Sequence, residues 1–117
     1  MALGGRAAEL SAANPPDEAL ALWLADFVSR IGPYRGLPGT MLGAAVHEDS
    51  ELYATCAAMT DACRELLARA QQNGTVRPDV TWEDVFTAAV AISGITAQSG
   101  PEPASRVLAV YLDGLRR

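Results

Sequence analysis

His47, Asp49 and Ser50 bring the three residue types of a hydrolytic triad into the short stretch HEDS. A working triad is assembled in space rather than along the chain, and no nucleophile elbow surrounds this serine. Ser50 stands just before an apolar-periodic run, with Glu51 behind it, which is where a helix N-cap belongs. The carboxylates Glu48, Asp49 and Glu51 favour a helix N-terminus, and that solvated role explains them better than acid–base chemistry does. A metal site built from His47, Cys56 and Cys63 would lack any C-x-x-C or H-E-x-x-H spacing. No catalytic residue, no metal and no other cofactor is therefore expected.

The basic residues narrow the chemistry further. All nine are Arg, so a P-loop lysine, a Schiff-base lysine and a Ser-Lys pair are excluded. They are scattered along a chain of formal charge −5. Nucleic-acid affinity rests largely on clustered phosphate contacts, so these residues by themselves make a poor DNA or RNA binder. Cys56 and Cys63 fall in one expected helix, where two turns hold their α-carbons roughly 10 Å apart. A disulfide requires less than about 7 Å, so the two cannot pair while that helix is intact. With no signal peptide recognised, a reducing cytoplasm is the expected location.

A chain of 117 residues, half of them apolar and 20% charged, can bury one core without disulfide or metal staples. The apolar run AAVAISGITA falls far short of the roughly 20 residues of a membrane span, so no membrane contact is expected. The elements are all helical. Leu3 to Ala13 reads as a short, weakly amphipathic helix. Asn14 and the following prolines interrupt it, and Asp17 and Glu18 open a second helix whose Leu20, Trp23, Leu24, Phe27, Val28 and Ile31 form one wide stripe. The stretch GPYRGLPG breaks the chain, and a short helix is expected from about Pro38 to His47. The next helix carries Leu52, Cys56, Met59, Cys63, Leu66 and Ala70 in alternating steps of four and three.

The stretch NGTVRPDVTWEDV, Asn73 to Val85, then packs a helix stop, a corner and a helix start into a few residues. Asn73 and Gly74 supply the stop, Pro78 the corner, and Thr81 with Asp84 a capping-box variant, while Val76 and Val80 can bury across the turn. The helix from Thr81 to about Gln98 is apolar or small nearly all round. After SGPEP, a last helix runs from Pro103 to Leu115. These two helices carry more apolar surface than one small core absorbs, which points to an oligomer. Their small and apolar faces offer Val90, Gly94, Ala97, Val107, Val110, Tyr111 and Gly114 as contacts with a second copy.

The joint NGTVRPDVTWEDV, preceded by ACRELLARAQ and followed by a small-residue helix, resembles the joint near the end of TetR-family transcription regulators. PDEALALWLADFV and YRGLPGTMLGAAVHEDSELYATCAAM resemble earlier helices of the same C-terminal half, so the likeness covers the chain from about Asn14 onward. It implies an all-α, single helical-bundle domain of about six helices, acting as the effector-binding and dimerisation domain of a repressor. The last two helices would pair with their copies in a four-helix interface. A cavity would take a small, often apolar ligand. Trp23, Phe27, Tyr53, Met59 and Phe86, joined by Met41, Cys56 and Cys63, are its candidate lining; filling the core is the competing role. Nothing before Asn14 resembles the family's helix-turn-helix. Residues 1–13 are expected to be a helix remnant or linker, residues 14–117 the regulatory domain, and DNA binding to reside in an N-terminal segment missing from the chain. The alternative is a stand-alone helical interaction module with no ligand pocket.

Overall fold

The computed structural model describes residues 3–31 and 51–116, with side chains over 6–30 and 57–116. Among these residues there are five helices: α1 (Leu3–Ala13), α2 (Pro16–Ile31), α3 (Glu51–Asn73), α4 (Trp82–Ser99) and α5 (Pro101–Leu115). The all-α architecture agrees with the sequence reading. The expected short helix over Pro38 to His47, the GPYRGLPG break and the Ser50 cap lie outside the described residues.

α2 is the central element, packing against each of the other four helices. Its start follows from Pro16 in the first turn with Asp17 and Glu18 beside it, and Arg30 stands in its last turn, an arrangement that complements the helix dipole at both ends. Its stripe of Leu20, Trp23, Leu24, Phe27 and Val28 is buried. Fully burying each such side chain contributes about 1.5–3 kcal/mol. An exposed i,i+4 pair such as Arg69–Glu65, at 2.8 Å, contributes only about 0.3–0.5 kcal/mol. The apolar stripe therefore decides how the helices assemble.

α1 contributes Ala7 and Leu10 to the core. The Nε of Arg6 donates to Oδ2 of Asp26 on α2 at 2.8 Å. Asn14 ends α1 with both its backbone N–H and its side-chain amide donating to the Leu10 carbonyl, at 3.0 and 3.1 Å. From α3, Met59, Ala62, Cys63, Leu66, Leu67 and Ala70 join the same core.

The stretch after α3 closes one helix and opens the next through a series of directional hydrogen bonds. Gly74 has φ 85°, the left-handed region in which a Cβ is strained. Its N–H donates to the Gln71 carbonyl at 3.1 Å, and that of Thr75 donates to the Ala70 carbonyl at 3.2 Å. These are the two bonds of a Schellman C-cap. The Gln71 amide then spans the corner, donating to the carbonyls of Arg77 and Val80 at 3.1 and 2.9 Å. Val76 is buried and Val80 packs partly buried against the core. Thr81 caps α4 reciprocally: the Asp84 N–H donates to Thr81 Oγ1 at 3.2 Å and the Thr81 N–H to Asp84 Oδ2 at 3.0 Å.

The same joint also holds the end of α5. The Arg77 N–H donates to the Leu115 carbonyl at 2.9 Å, Val76 forms an isolated antiparallel bridge with Arg116, and Arg77 Nη1 donates to the Gly114 carbonyl at 3.4 Å. Asp79 aims that guanidinium through two bonds at 2.6 and 2.8 Å. Hydrogen bonding to Arg77 is the main reason that the Asp79 carboxyl is held below its ordinary range. A cation thus sits against carbonyls that an α-helix leaves unpaired at its C-terminus.

α5 starts at Pro101, two residues before the position expected from the sequence. Only Gly100, at φ 89°, separates it from α4, and its N–H donates to the Thr96 carbonyl at 3.0 Å. Proline in a first helical turn forfeits no hydrogen bond, so the GPEP segment begins the helix instead of delaying it. Gly74→Ala is expected to destabilise the fold by about 1–2 kcal/mol through its left-handed conformation. Urea denaturation checks this as a lower midpoint at constant m-value.

Candidate functional site

α2 places Trp23 and Phe27 one turn apart, with ring centroids at 5.6 Å. Phe86 of α4 meets Phe27 edge-on at 5.4 Å. Met59 and Cys63 of α3 are buried in the same cluster. Five of the eight ligand candidates from the sequence are thereby brought together as tightly packed core side chains. Met41, and the side chains of Tyr53 and Cys56, lie outside what is described. The same holds for the side chains of His47, Glu48, Asp49, Ser50 and Glu51.

Cys63 is fully buried. Its Sγ lies 4.0 Å from the Trp82 carbonyl, toward which the S–H can donate. Burial pushes the thiol up to about 12, so it stays protonated at neutral pH and lacks the thiolate that nucleophilic or redox chemistry requires. The Arg64 guanidinium lies over the Trp82 ring at 4.8 Å from its centroid, covering the first residue of α4 by a cation–π contact. Among the described residues no group of His, Cys, Asp and Glu is arranged to hold a metal ion. Among the described residues, too, no helix is long and apolar enough to cross a membrane.

The residues proposed for contact with a second copy divide by exposure. Val107 and Val110 on α5 are 43% and 74% exposed, and Gly114 is exposed on the same face. On α4, Gly94 and Ala97 are half-buried, and Val90 is buried at the margin of the core. Tyr111 packs partly buried against the core, where burial is the main cause raising its phenol above the ordinary value. The outward positions of α4, Thr87, Ala91, Gly94 and Gln98, are small or uncharged, and no charged residue occurs between Asp84 and Glu102.

Two crevices were not foreseen from the sequence. One, of about 480 Å³, lies between α1 and α3, lined by small residues such as Ala7, Ala8, Ala58 and Ala62 together with Asp61, Glu65 and Arg69. The other, of about 300 Å³, lies between α2, α4 and α5. Ala25, Val28, Ser29, Thr96, Pro101, Ser105, Leu108, Ala109 and Leu112 line it, none of them charged. The Thr96 hydroxyl oxygen is buried there with no hydrogen-bond partner among the described residues. Ser93, nearby on α4, shows the usual solution, its hydroxyl donating to the Ala89 carbonyl at 2.8 Å. Nothing in the local sequence separates the two hydroxyls; their difference arises only once the helices close.

The bundle thus pairs α4, which carries no charged residue after Asp84, with α5, which exposes Val107 and Val110 between the charged Arg106 and Asp113. The family model for the C-terminal domain of SbtR-like transcriptional regulators matches residues 15–117. The chain belongs to the TetR family of transcriptional regulators, as one of its C-terminal domains. Among solved structures, the chain is similar to the TetR transcriptional regulator SCO0520 from Streptomyces coelicolor, at 28% identity and a TM-score of 0.77. The match covers 97% of this chain and 66% of that one, so the chain spans a little under two thirds of that regulator. No curated protein matches.

With Cys56→Ser leaving Cys63 as the sole thiol, a neutral maleimide is expected to label the folded protein only as fast as it unfolds, and the urea-unfolded protein at once. The sign of the pH effect follows from the raised folded value. Cys63 contributes stability that is fully present below the ordinary thiol range and is lost as pH rises toward about 12, because only the unfolded chain ionises in that window. Labelling of the native variant at the rate of a free thiol would disprove the assignment.

Proposed function

We propose that this chain is the effector-binding and dimerisation domain of a TetR-like transcriptional repressor. In this reading residues 14–117 form the regulatory domain, α1 leads from an N-terminal helix-turn-helix outside the chain, and the protein works in the cytoplasm by binding rather than by catalysis. The observation that carries it is the outward face of α4 and α5. Val107 and Val110 are exposed there, close to Gly114, and α4 presents small uncharged positions around Gly94. Large exposed apolar side chains on one helix face, beside a second face free of charge, favour coverage by a like surface. Glycines in such a face let two backbones approach closely.

A small apolar effector is the ligand this reading implies. Its candidate contacts are Trp23, Phe27, Met59, Cys63 and Phe86, which pack together as core in the protomer and would have to part to admit it, together with Met41, Tyr53 and Cys56. Regulation would be a population shift, in which the effector prefers one arrangement of the helices and so changes the spacing of two DNA-reading heads. The family membership, the uncharged outer positions of α4 and the exposed valines of α5 support this.

Sedimentation at micromolar concentration tests it. A dimer is expected, and Val110→Arg or Gly94→Arg should weaken self-association by about a hundredfold or more, because each would bury an unpaired charge in the interface. A Cβ built at Gly94 meets nothing within 4 Å in the protomer, so helical content by circular dichroism should be retained. A strictly monomeric wild-type chain would overturn the dimer reading and favour an interaction module that binds other proteins.

A further inference from the structure

We propose that the crevice between α2, α4 and α5 is a binding site for a small, uncharged, largely apolar molecule that carries one hydrogen-bond acceptor. Its position separates it from the aromatic cluster. Its walls are Ala25, Val28, Leu108, Ala109 and Leu112, with Ser29, Ser105 and Thr96 beside them; the Thr96 oxygen itself lies behind the wall, closed off from the crevice. Among the described residues no charged side chain lines it, so an ionised ligand would lose its hydration without gaining a partner there. A volume of about 300 Å³ stands at the lower end of small-molecule pockets. It suits a molecule of one or two rings and is too small for the helix of a protein partner.

The Thr96 hydroxyl supplies the second, independent argument. A helical threonine usually donates to the carbonyl one turn back, as Ser93 does on the same helix. Thr96 does not: its oxygen is shut off from solvent and has no partner among the described residues. Its own carbonyl is already taken by the Gly100 N–H. A buried donor without an acceptor is a standing destabilisation of the closed crevice. A molecule that wedges α5 slightly away from α2 exposes this hydroxyl and accepts its proton, so binding removes a defect of the empty form. The α1–α3 crevice is lined by Ser11 but by no buried, unpartnered hydroxyl among the described residues, and its Arg69 is already paired with Glu65.

The site also lies apart from the proposed dimer face. Ser105 and Leu112 point from α5 to the crevice, whereas Val107, Val110 and Gly114 fall on the opposite side of a helix with 3.6 residues per turn. Occupancy is therefore compatible with dimerisation and acts on the same helix from behind.

The test uses the neutral naphthyl ketone fluorophore Prodan, whose ketone oxygen is an acceptor and whose emission shifts to the blue on leaving water. Wild-type chain should bind one Prodan per protomer. Thr96→Val keeps the side-chain shape and removes the hydroxyl. It should weaken binding by about tenfold while leaving the urea midpoint equal to or above that of the wild type. Ala25→Phe fills the crevice from its exposed α2 side and should abolish the signal. Val110→Arg, monomeric by the reading above, should bind Prodan as the wild type does. Absence of binding to the wild type, or binding indifferent to both Thr96→Val and Ala25→Phe, overturns the proposal. Binding lost on Val110→Arg also overturns it, since the probe would then lie between copies. A monomeric wild type that still binds Prodan in this pattern overturns only the dimer reading.

Discussion

Backbone groups at the ends of helices must find partners, and in this chain three helix ends find them within the stretch from Gly74 to Thr81. The C-terminus of α3 is closed by the Schellman bonds at Gly74 and Thr75, the N-terminus of α4 by the Thr81–Asp84 box, and the C-terminus of α5 by Arg77. No other described segment serves so many elements. Because each bond is directional, the stretch fixes orientations that apolar burial alone leaves loose. Burial drives the helices together, and these caps determine how they meet.

The consequences run inward and outward from that joint. Inward, the fixed entry of α4 brings Phe86 edge-on to Phe27 and keeps Val85 and Ala89 in the core, so that α2 is covered by α4 as well as by α1 and α3. Outward, the tie from Arg77 to the Leu115 carbonyl holds the far end of α5, while Gly100 alone links its near end to α4. α5 is thus restrained at both ends. Between those ends its faces are occupied very differently, with the core on one side and exposed valines on another.

Much of this was legible in the sequence because the signals are local. The stripe of α2, the seam of α3 and the stop–corner–start at Asn73 to Val85 all depend on residues within a few positions of one another, and each is present over the side chains described, Leu20 to Val28 for α2 and Met59 to Ala70 for α3. The grip of Arg77 on Gly114 was not legible, since the partners are 37 positions apart and the nearby Asp79 offers a sufficient local partner. The start of α5 was read two residues late because GPEP looks like an interruption, although a proline at the first helical position suits a helix start. The ligand candidates were recognisable as a group by their residue types, and five of the eight, Trp23, Phe27, Met59, Cys63 and Phe86, do cluster. Whether a side chain fills a core or walls a cavity, however, depends on what the facing helices bring, which periodicity does not encode. The Thr96 hydroxyl is the clearest case: its sequence neighbourhood is ordinary, and its lack of a partner is a property of the closed bundle alone.

α4 explains why function in such a domain should lie at its surfaces. A helix without charge between Asp84 and Glu102 has no face that prefers water strongly, so one side settles in the core and the other is left with small groups that solvate poorly. A Gly94 whose missing Cβ would meet nothing contributes nothing to packing within the protomer, and in a helix interior it costs about 1 kcal/mol relative to alanine. A residue that weakens its own helix without easing any contact inside the chain points to a contact made outside it. The same reasoning applies on the other side of the α4–α5 pair, where Thr96 leaves a hydroxyl unpaired. Both features are unfavourable to the isolated protomer, and on the proposals above both would be relieved by binding: a second copy on the outer face, a small molecule in the crevice. Because α5 borders both surfaces and its ends are held, a displacement at one would reach the other as a tilt of that helix.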